Sequence, residues 1–148
     1  GERSPHGDPD IRGCFYGLDD ATGAAEMARA VVEAVAFSMG EAKESFGPEF
    51  APEGVIPVIG GGSRSDEVLQ VLADTLQHPV ARADAGEGGA ALGAALLAEV
   101  GQGLRSADDL VFDPPLSRTF EPRENSDLQE RFKSYKALYQ ALKGLHAR

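Results

Sequence analysis

The residues best suited to chemistry lie in a glycine-rich turn. Gly60, Gly61 and Gly62 are followed by Ser63, Ser65 and Asp66, directly after the apolar run Val55-Ile56-Pro57-Val58-Ile59. Three glycines open backbone conformations closed to other residues and let a ligand approach the main chain. Free N–H groups at a helix start, at the positive end of its dipole, suit a phosphate or a sugar hydroxyl. A tight βα connection with no ligand accounts for the same residues. The turn is not a P-loop, because the lysine of G-x-x-x-x-G-K-[ST] is absent and Arg64 does not replace it. A second glycine turn, Gly86-Glu87-Gly88-Gly89-Ala90-Ala91, fits G-x-G-x-x-A, the dinucleotide fingerprint of a Rossmann domain. That reading needs an acidic residue closing a second strand about 20 residues on, and Asp108 and Asp109 stand near that distance in loop-like sequence. The other reading is that Gly88, Gly89, Ala91, Gly93, Ala94 and Ala95 let a helix sit tightly on a sheet.

Other reactive residues are scattered. His6, Asp8 and Asp10 alternate in a loop and could approach a cation, although hard-metal sites need more oxygen ligands. Cys14 has no helix N-terminus or basic cluster to activate it and is read as packing. His78 and His146 have no identifiable partner. No Ser/His/Asp order, CxxC or HExxH is present. Glu26, Arg29, Glu33 and Gly40 make a narrow polar stripe, read as a solvated or ion-paired helix face.

The elements that position these residues follow from periodicity. Residues 1–13 read as loop, with a short strand possible between Ile11 and Leu18. Thr22 is the expected cap of a helix over 23–46, stopped by Gly47-Pro48, with Met27, Val31, Ala34, Val35 and Phe37 on a broad apolar face. The run 55–59 reads as a strand buried on both faces, with Pro57 requiring an edge or a place that needs no donor. Ser63 and Asp66 form an S-x-x-D capping pattern for a helix reaching residue 77. A strand over 79–83 and a small-residue helix over 90–100 come next. Two strands joined by such a helix imply a right-handed βαβ unit. Residues 101–125, with Asp113-Pro114-Pro115 and Glu121-Pro122, read as irregular. Ser126 and Gln129 form a capping box for a last helix over 127–146, whose apolar face carries Leu128, Phe132, Tyr135, Leu138, Tyr139 and Leu142.

Composition bounds the class. The 148 residues include 14 Lys plus Arg and 24 Asp plus Glu, for a net charge of −10. That charge disfavours nucleic acid and anionic lipid as partners. A single cysteine forms no internal disulfide, and no apolar run approaches the roughly 20 residues of a membrane span. The expected class is a cytoplasmic, acidic α/β domain. The chain opens at Gly1 without an initiator Met, which fits a piece of something longer.

Four stretches in order carry a family resemblance: GERSPHGDPDIRGCFYGL, MARAVVEAVAF, VIPVIGGGSRSDEVLQVLAD and GEGGAALGAALLA. Together they resemble the C-terminal portion of the FGGY carbohydrate kinases, most nearly the branch that phosphorylates xylulose. The resemblance implies part of an actin-like, ribonuclease H-like ATPase domain with a parallel βαβ core. Residues 1–122 would belong to the ATP-binding domain and 123–148 to a C-terminal helix packed on it. It implies ATP with Mg²⁺, a ketopentose acceptor, an upstream sugar-binding domain and an upstream catalytic aspartate, with the Mg²⁺ ligands mainly outside this segment. Gly60, Gly61, Gly62 and Ser63 would receive the adenosine and α-phosphate side of the nucleotide, with Ser65 and Asp66 near the base or ribose. The helix of Arg29, Glu33 and Phe37 would flank the adenine. By the same resemblance this stretch alone is catalytically silent. Missing sheet partners would leave an apolar face that invites self-association, such as a homodimer.

Overall fold

Helix-compatible residues from Ala24 to Ser45 form α1 in the computed structural model, which describes residues 1–49, 52–84, 89–110 and 114–145. Its cap is Gly23, whose N–H donates to Glu26 Oε2 at 2.9 Å. Thr22, the expected cap, instead donates its hydroxyl to Asp19 Oδ1 at 2.8 Å. Strand β1 (Ile56–Val58) leads through a 3₁₀ turn (Gly61–Arg64) into α2 (Asp66–Leu76) and β2 (Val80–Ala83). β1 and β2 are parallel, with Ile56 opposite Val80 and Val58 opposite Arg82, so the expected βαβ unit is present. β1 lies at the edge of the described sheet, where Pro57 withholds no needed donor.

A third strand, β3 (Leu116–Phe120), pairs antiparallel with β2, where irregular chain was expected. Prolines on both sides (Pro114-Pro115 before it and Pro122 after it) hid it, and only its last residue, Phe120, is buried. Helices α3 (Gly89–Gly101) and α4 (Ser126–Leu142) complete the fold. The cap of α4 is Asn125, whose Oδ1 accepts from the Leu128 N–H at 3.0 Å, and the helix stops four residues short of its expected end. Gln129 leaves the expected capping box to donate to the Asp74 carbonyl at 2.9 Å. Residues 11–18 form no strand.

The core has two parts. Leu69, Ala73 and Leu76 of α2 pack on Val80 and Phe120 of the sheet. Phe37 of α1 packs on Leu128 and Phe132 of α4, with ring centroids of the two phenylalanines 5.2 Å apart. Gly40 permits this approach: a Cβ there would lie 2.7 Å from Phe132 Cζ and 3.2 Å from Thr75 Cγ2. Asp74, buried in α2, accepts from the Arg123 N–H at 2.9 Å, the Arg123 guanidinium at 2.8 Å and Gln70 at 2.8 Å, which fixes where the chain enters α4. Burial pushes the Asp74 carboxyl up, but the Arg123 hydrogen bonds outweigh it and hold it below its ordinary range.

Three expectations are overturned here. The broad apolar face of α1 is not the one that packs: Met27, Val31, Val35 and Met39 are exposed, whereas Glu33 and Gly40 of the polar stripe are buried, with Glu33 ion-paired as one reading of the stripe had it. The inward face is the one that meets α2 and α4, and Arg131 of α4 supplies the charge that makes a buried Glu33 tolerable. Cys14, read as packing, is exposed. The small residues of α3 are not pressed on the sheet, since a Cβ at Gly93 would meet nothing within 4 Å. Residues 86–88 of the second glycine turn lie outside the described residues, as does His146. Asp108 and Asp109 sit in a short 3₁₀ turn and follow no strand, so the acidic partner of a Rossmann reading is missing among the described residues.

Candidate functional site: the triple-glycine turn

The turn forms where β1 runs out and α2 has not begun. Gly60 takes φ +92°, a conformation that L side chains rarely adopt. Gly61 and Gly62 then lead a short 3₁₀ turn, so their N–H groups have no carbonyl within it to donate to. A Cβ at Gly60 or Gly61 would meet nothing within 4 Å, which leaves the main chain open to an approaching group.

The serines that follow have separate tasks. Ser63 is buried, and both its N–H and its hydroxyl donate to the Gly60 carbonyl, at 3.2 and 2.8 Å. Its side chain therefore braces the turn from within. Ser65, not Ser63, caps α2, accepting from the Val68 N–H at 3.3 Å. Asp66, the first residue of α2, receives Arg82 of β2 at 2.5 Å and also Arg118 of β3. The Arg82 hydrogen bond, with the charge of Arg118 behind it, holds the Asp66 carboxyl below its ordinary value despite some desolvation. Two guanidiniums against one carboxylate leave this edge of the turn positive.

Arg29 and Glu33 stand differently. Arg29 bridges Glu33 at 2.8 Å and Glu67 at 2.5 Å, tying α1 to the start of α2 beside the turn. Glu33 is 4% exposed and also accepts two bonds from Arg131, at 2.7 and 2.9 Å. Burial pushes its carboxyl up, but the hydrogen bonds and charges of Arg131 and Arg29 hold it below its ordinary range. Glu33 is thus a buried ion with three of its acceptor sites taken by Arg29 and Arg131. Phe37, placed by resemblance on the adenine-flanking helix, lies in the α1–α4 core instead. The structure brings Gly60 through Asp66 and Arg29 together, with Glu33 behind Arg29 as its ion-pair partner, and places Phe37 in the α1–α4 core.

Sequence reasoning missed Arg82, Arg118 and Glu67. Arg82 stood out only as a charge inside the apolar strand Val80–Ala83, and Arg118 lay in a strand that was not expected. The loop residues His6 and Asp8 both meet Tyr139 of α4, whose hydroxyl lies 3.4 Å from Asp8 Oδ2. The His6 ring stacks on Tyr139 at 3.6 Å and meets Glu41 at 3.3 Å, which pins the N-terminal loop to α1 and α4. Among the described residues no group of three or more His, Cys, Asp or Glu is gathered that could hold a metal ion. None of the described helices is long and apolar enough to cross a membrane.

Residues 1–101 match the family model described as the FGGY family of carbohydrate kinases, C-terminal domain. The chain is 36% identical over 151 aligned residues to a xylulose kinase of Staphylococcus epidermidis, covering 99% of this chain and 30% of that protein. It is 37% identical over 134 residues to a glycerol kinase of Methylobacterium nodulans, covering 86% of this chain and 26% of that protein. Its fold superposes on the crystal structure of a "xyloylose kinase" from Brucella ovis with a TM-score of 0.81 at 34% identity, over 98% of this chain and 30% of that one. The chain thus spans about 30% of the length of these xylulose kinase relatives. The α/β architecture is part of the actin-like ATPase fold.

Proposed function

The chain belongs to the FGGY family of carbohydrate kinases, and from that premise we propose that it forms the nucleotide-contacting part of a cytoplasmic kinase that converts D-xylulose and ATP to D-xylulose 5-phosphate and ADP. One observation carries the nucleotide assignment. The triple-glycine turn presents backbone amides that have no acceptor within the 3₁₀ turn itself, at an open stretch edged by Arg82. ATP supplies the γ-phosphoryl group. Gly60, Gly61 and Gly62 let the adenosine and α-phosphate side lie against the main chain, and Ser63 braces the turn beneath it. Ser65 and Asp66 begin the helix whose positive end faces the ligand. Arg29 holds α1 against that helix start. This division of labour leaves phosphoryl transfer itself to groups outside the segment, because positioning the acceptor and stabilising the γ-phosphate charge require residues on its far side. No Mg²⁺ ligand set is assigned among the described residues, and the chain by itself is expected to bind nucleotide weakly and transfer nothing.

Similarity to xylulose kinases over 99% of the chain supports the acceptor. The comparable similarity to a glycerol kinase favours glycerol as a second reading of the acceptor. Isothermal titration of the chain with ADP tests the nucleotide assignment. Binding that Gly61→Val removes is the expected result, and no heat exchange in the parent chain would refute it. A phosphorylation assay of the complete kinase with D-xylulose, D-ribulose and glycerol tests the acceptor.

A further inference from the structure

Arg82 and Arg118 stand directly opposite each other across the antiparallel β2–β3 pair. Like charges in that relation repel and weaken a sheet. Here they flank Asp66, one guanidinium on each of its carboxylate oxygens. Arg82 does more than neutralise Asp66. Its Nε donates to the Ser63 carbonyl at 2.6 Å and its Nη2 to the Arg64 carbonyl at 3.3 Å. Three acceptors within four residues at the exit of the glycine turn are therefore gripped by one side chain rooted in the neighbouring strand, and that side chain is only partly exposed.

We propose that Arg82 is a positioning residue that sets the shape of the turn at 60–65, acting through the Ser63 and Arg64 carbonyls and through Asp66, with Arg118 as its counterweight on β3. The assignment of a nucleotide to the turn is the reading on which its functional half rests. Gly60 to Gly62 carry no side chains that could hold their own backbone; Ser63 takes the Gly60 carbonyl and the Ser65 N–H takes the Gly62 carbonyl. The Ser63 and Arg64 carbonyls are held from outside the turn, by Arg82. A guanidinium is suited to this task because its planar fork offers several donors at fixed angles, which an ammonium does not. Asp66 serves twice, as the acceptor that orients Arg82 and as the charge that lets two arginines share one rung of the sheet.

The test compares the parent chain with Arg82→Ala, Arg82→Lys and Asp66→Asn, first without nucleotide and then with ADP. Amide hydrogen exchange at Ser63 and Ser65, whose N–H groups close the turn, is expected to quicken at least 10-fold in Arg82→Ala. Exchange at Leu69, Ala73 and Val80 should stay as in the parent, which separates a loosened turn from a loosened fold. Arg82→Lys is expected to recover less than half of the lost protection, and Asp66→Asn to give an intermediate effect. ADP affinity should fall about 10-fold in Arg82→Ala and in the same order across the variants. Unchanged exchange at Ser63 and Ser65 in Arg82→Ala, or full rescue by lysine, would overturn the clamp. A loosened turn with unaltered ADP affinity would overturn its functional half. Failure of the parent chain to bind ADP would instead sink the nucleotide assignment, and the exchange measurement would still judge Arg82.

Discussion

Replacing Glu33 with glutamine measures how far the inward ion cluster holds the molecule together. Glu33 sits inside α1 and accepts from Arg131 twice, at 2.7 and 2.9 Å, and from Arg29 at 2.8 Å. Removing one partner from a buried ion pair typically costs about 3–5 kcal/mol. That figure must be reduced here, because Arg29 and Arg131 are 43% and 50% exposed and regain hydration when released. Glutamine also keeps one acceptor oxygen. A loss of about 2–3 kcal/mol is the result, which for a chain of this size lowers Tm by roughly 5–10 °C. Urea unfolding followed by circular dichroism, at pH 7 and moderate salt, reads it directly. Arg131→Leu alone should cost a similar amount, and combining the two should cost clearly less than their sum. A Tm change under about 1 °C in Glu33→Gln would refute the reasoning and favour the solvated reading of its stripe over the ion-paired one.

Other consequences follow from the same contacts. Gly40→Val should destabilise by about 2–3 kcal/mol in chemical denaturation, because its side chain would drive into Phe132 and Thr75. Gly61→Val should leave Tm within about 2 °C of the parent, since its side chain meets nothing, while abolishing ADP binding in titration. Glu33 and Asp74 both have lowered carboxyl pKa values in the folded chain. Their contribution is therefore present above the unfolded values of about 4.5 and 3.8 and is lost as pH falls through the lower folded ones. Tm should hold steady from pH 7 to about 5 and drop below about 4.5, and the drop should be shallower in Glu33→Gln and Asp74→Asn.

Local signals made the frame legible. Glycine at 60–62 after a short apolar run, with a helix period behind it, placed β1, the turn and α2, because each rests on local conformational preference. Partnership was harder to see. Periodicity showed that α1 has an apolar and a polar side, but not which side the rest of the chain would cover. The answer depends on Arg131, 98 residues away from Glu33. β3 was invisible for the same kind of reason: a five-residue strand with one buried side chain has no alternation to read, and its pairing is decided by β2. Caps shifted by one residue at both Gly23 and Asn125, where two adjacent polar or small residues competed for the same task. In the site, sequence pointed to the backbone that meets a ligand and missed the arginines that hold it, since Arg82 and Arg118 come from strands distant in the chain. The resemblance placed the helix of Arg29, Glu33 and Phe37 beside the adenine; of these, Glu33 and Phe37 are buried and Arg29 reaches the start of α2.

The account depends most on the turn at 60–66 being where a nucleotide rests. Heteronuclear NMR of the chain during ADP titration tests this residue by residue. The predicted result is saturable shifts concentrated on the amides of Gly60 to Asp66 and the side-chain Nε of Arg82, absent in Gly61→Val. Shifts confined to the segment around residues 86–91, or none at all, would contradict it.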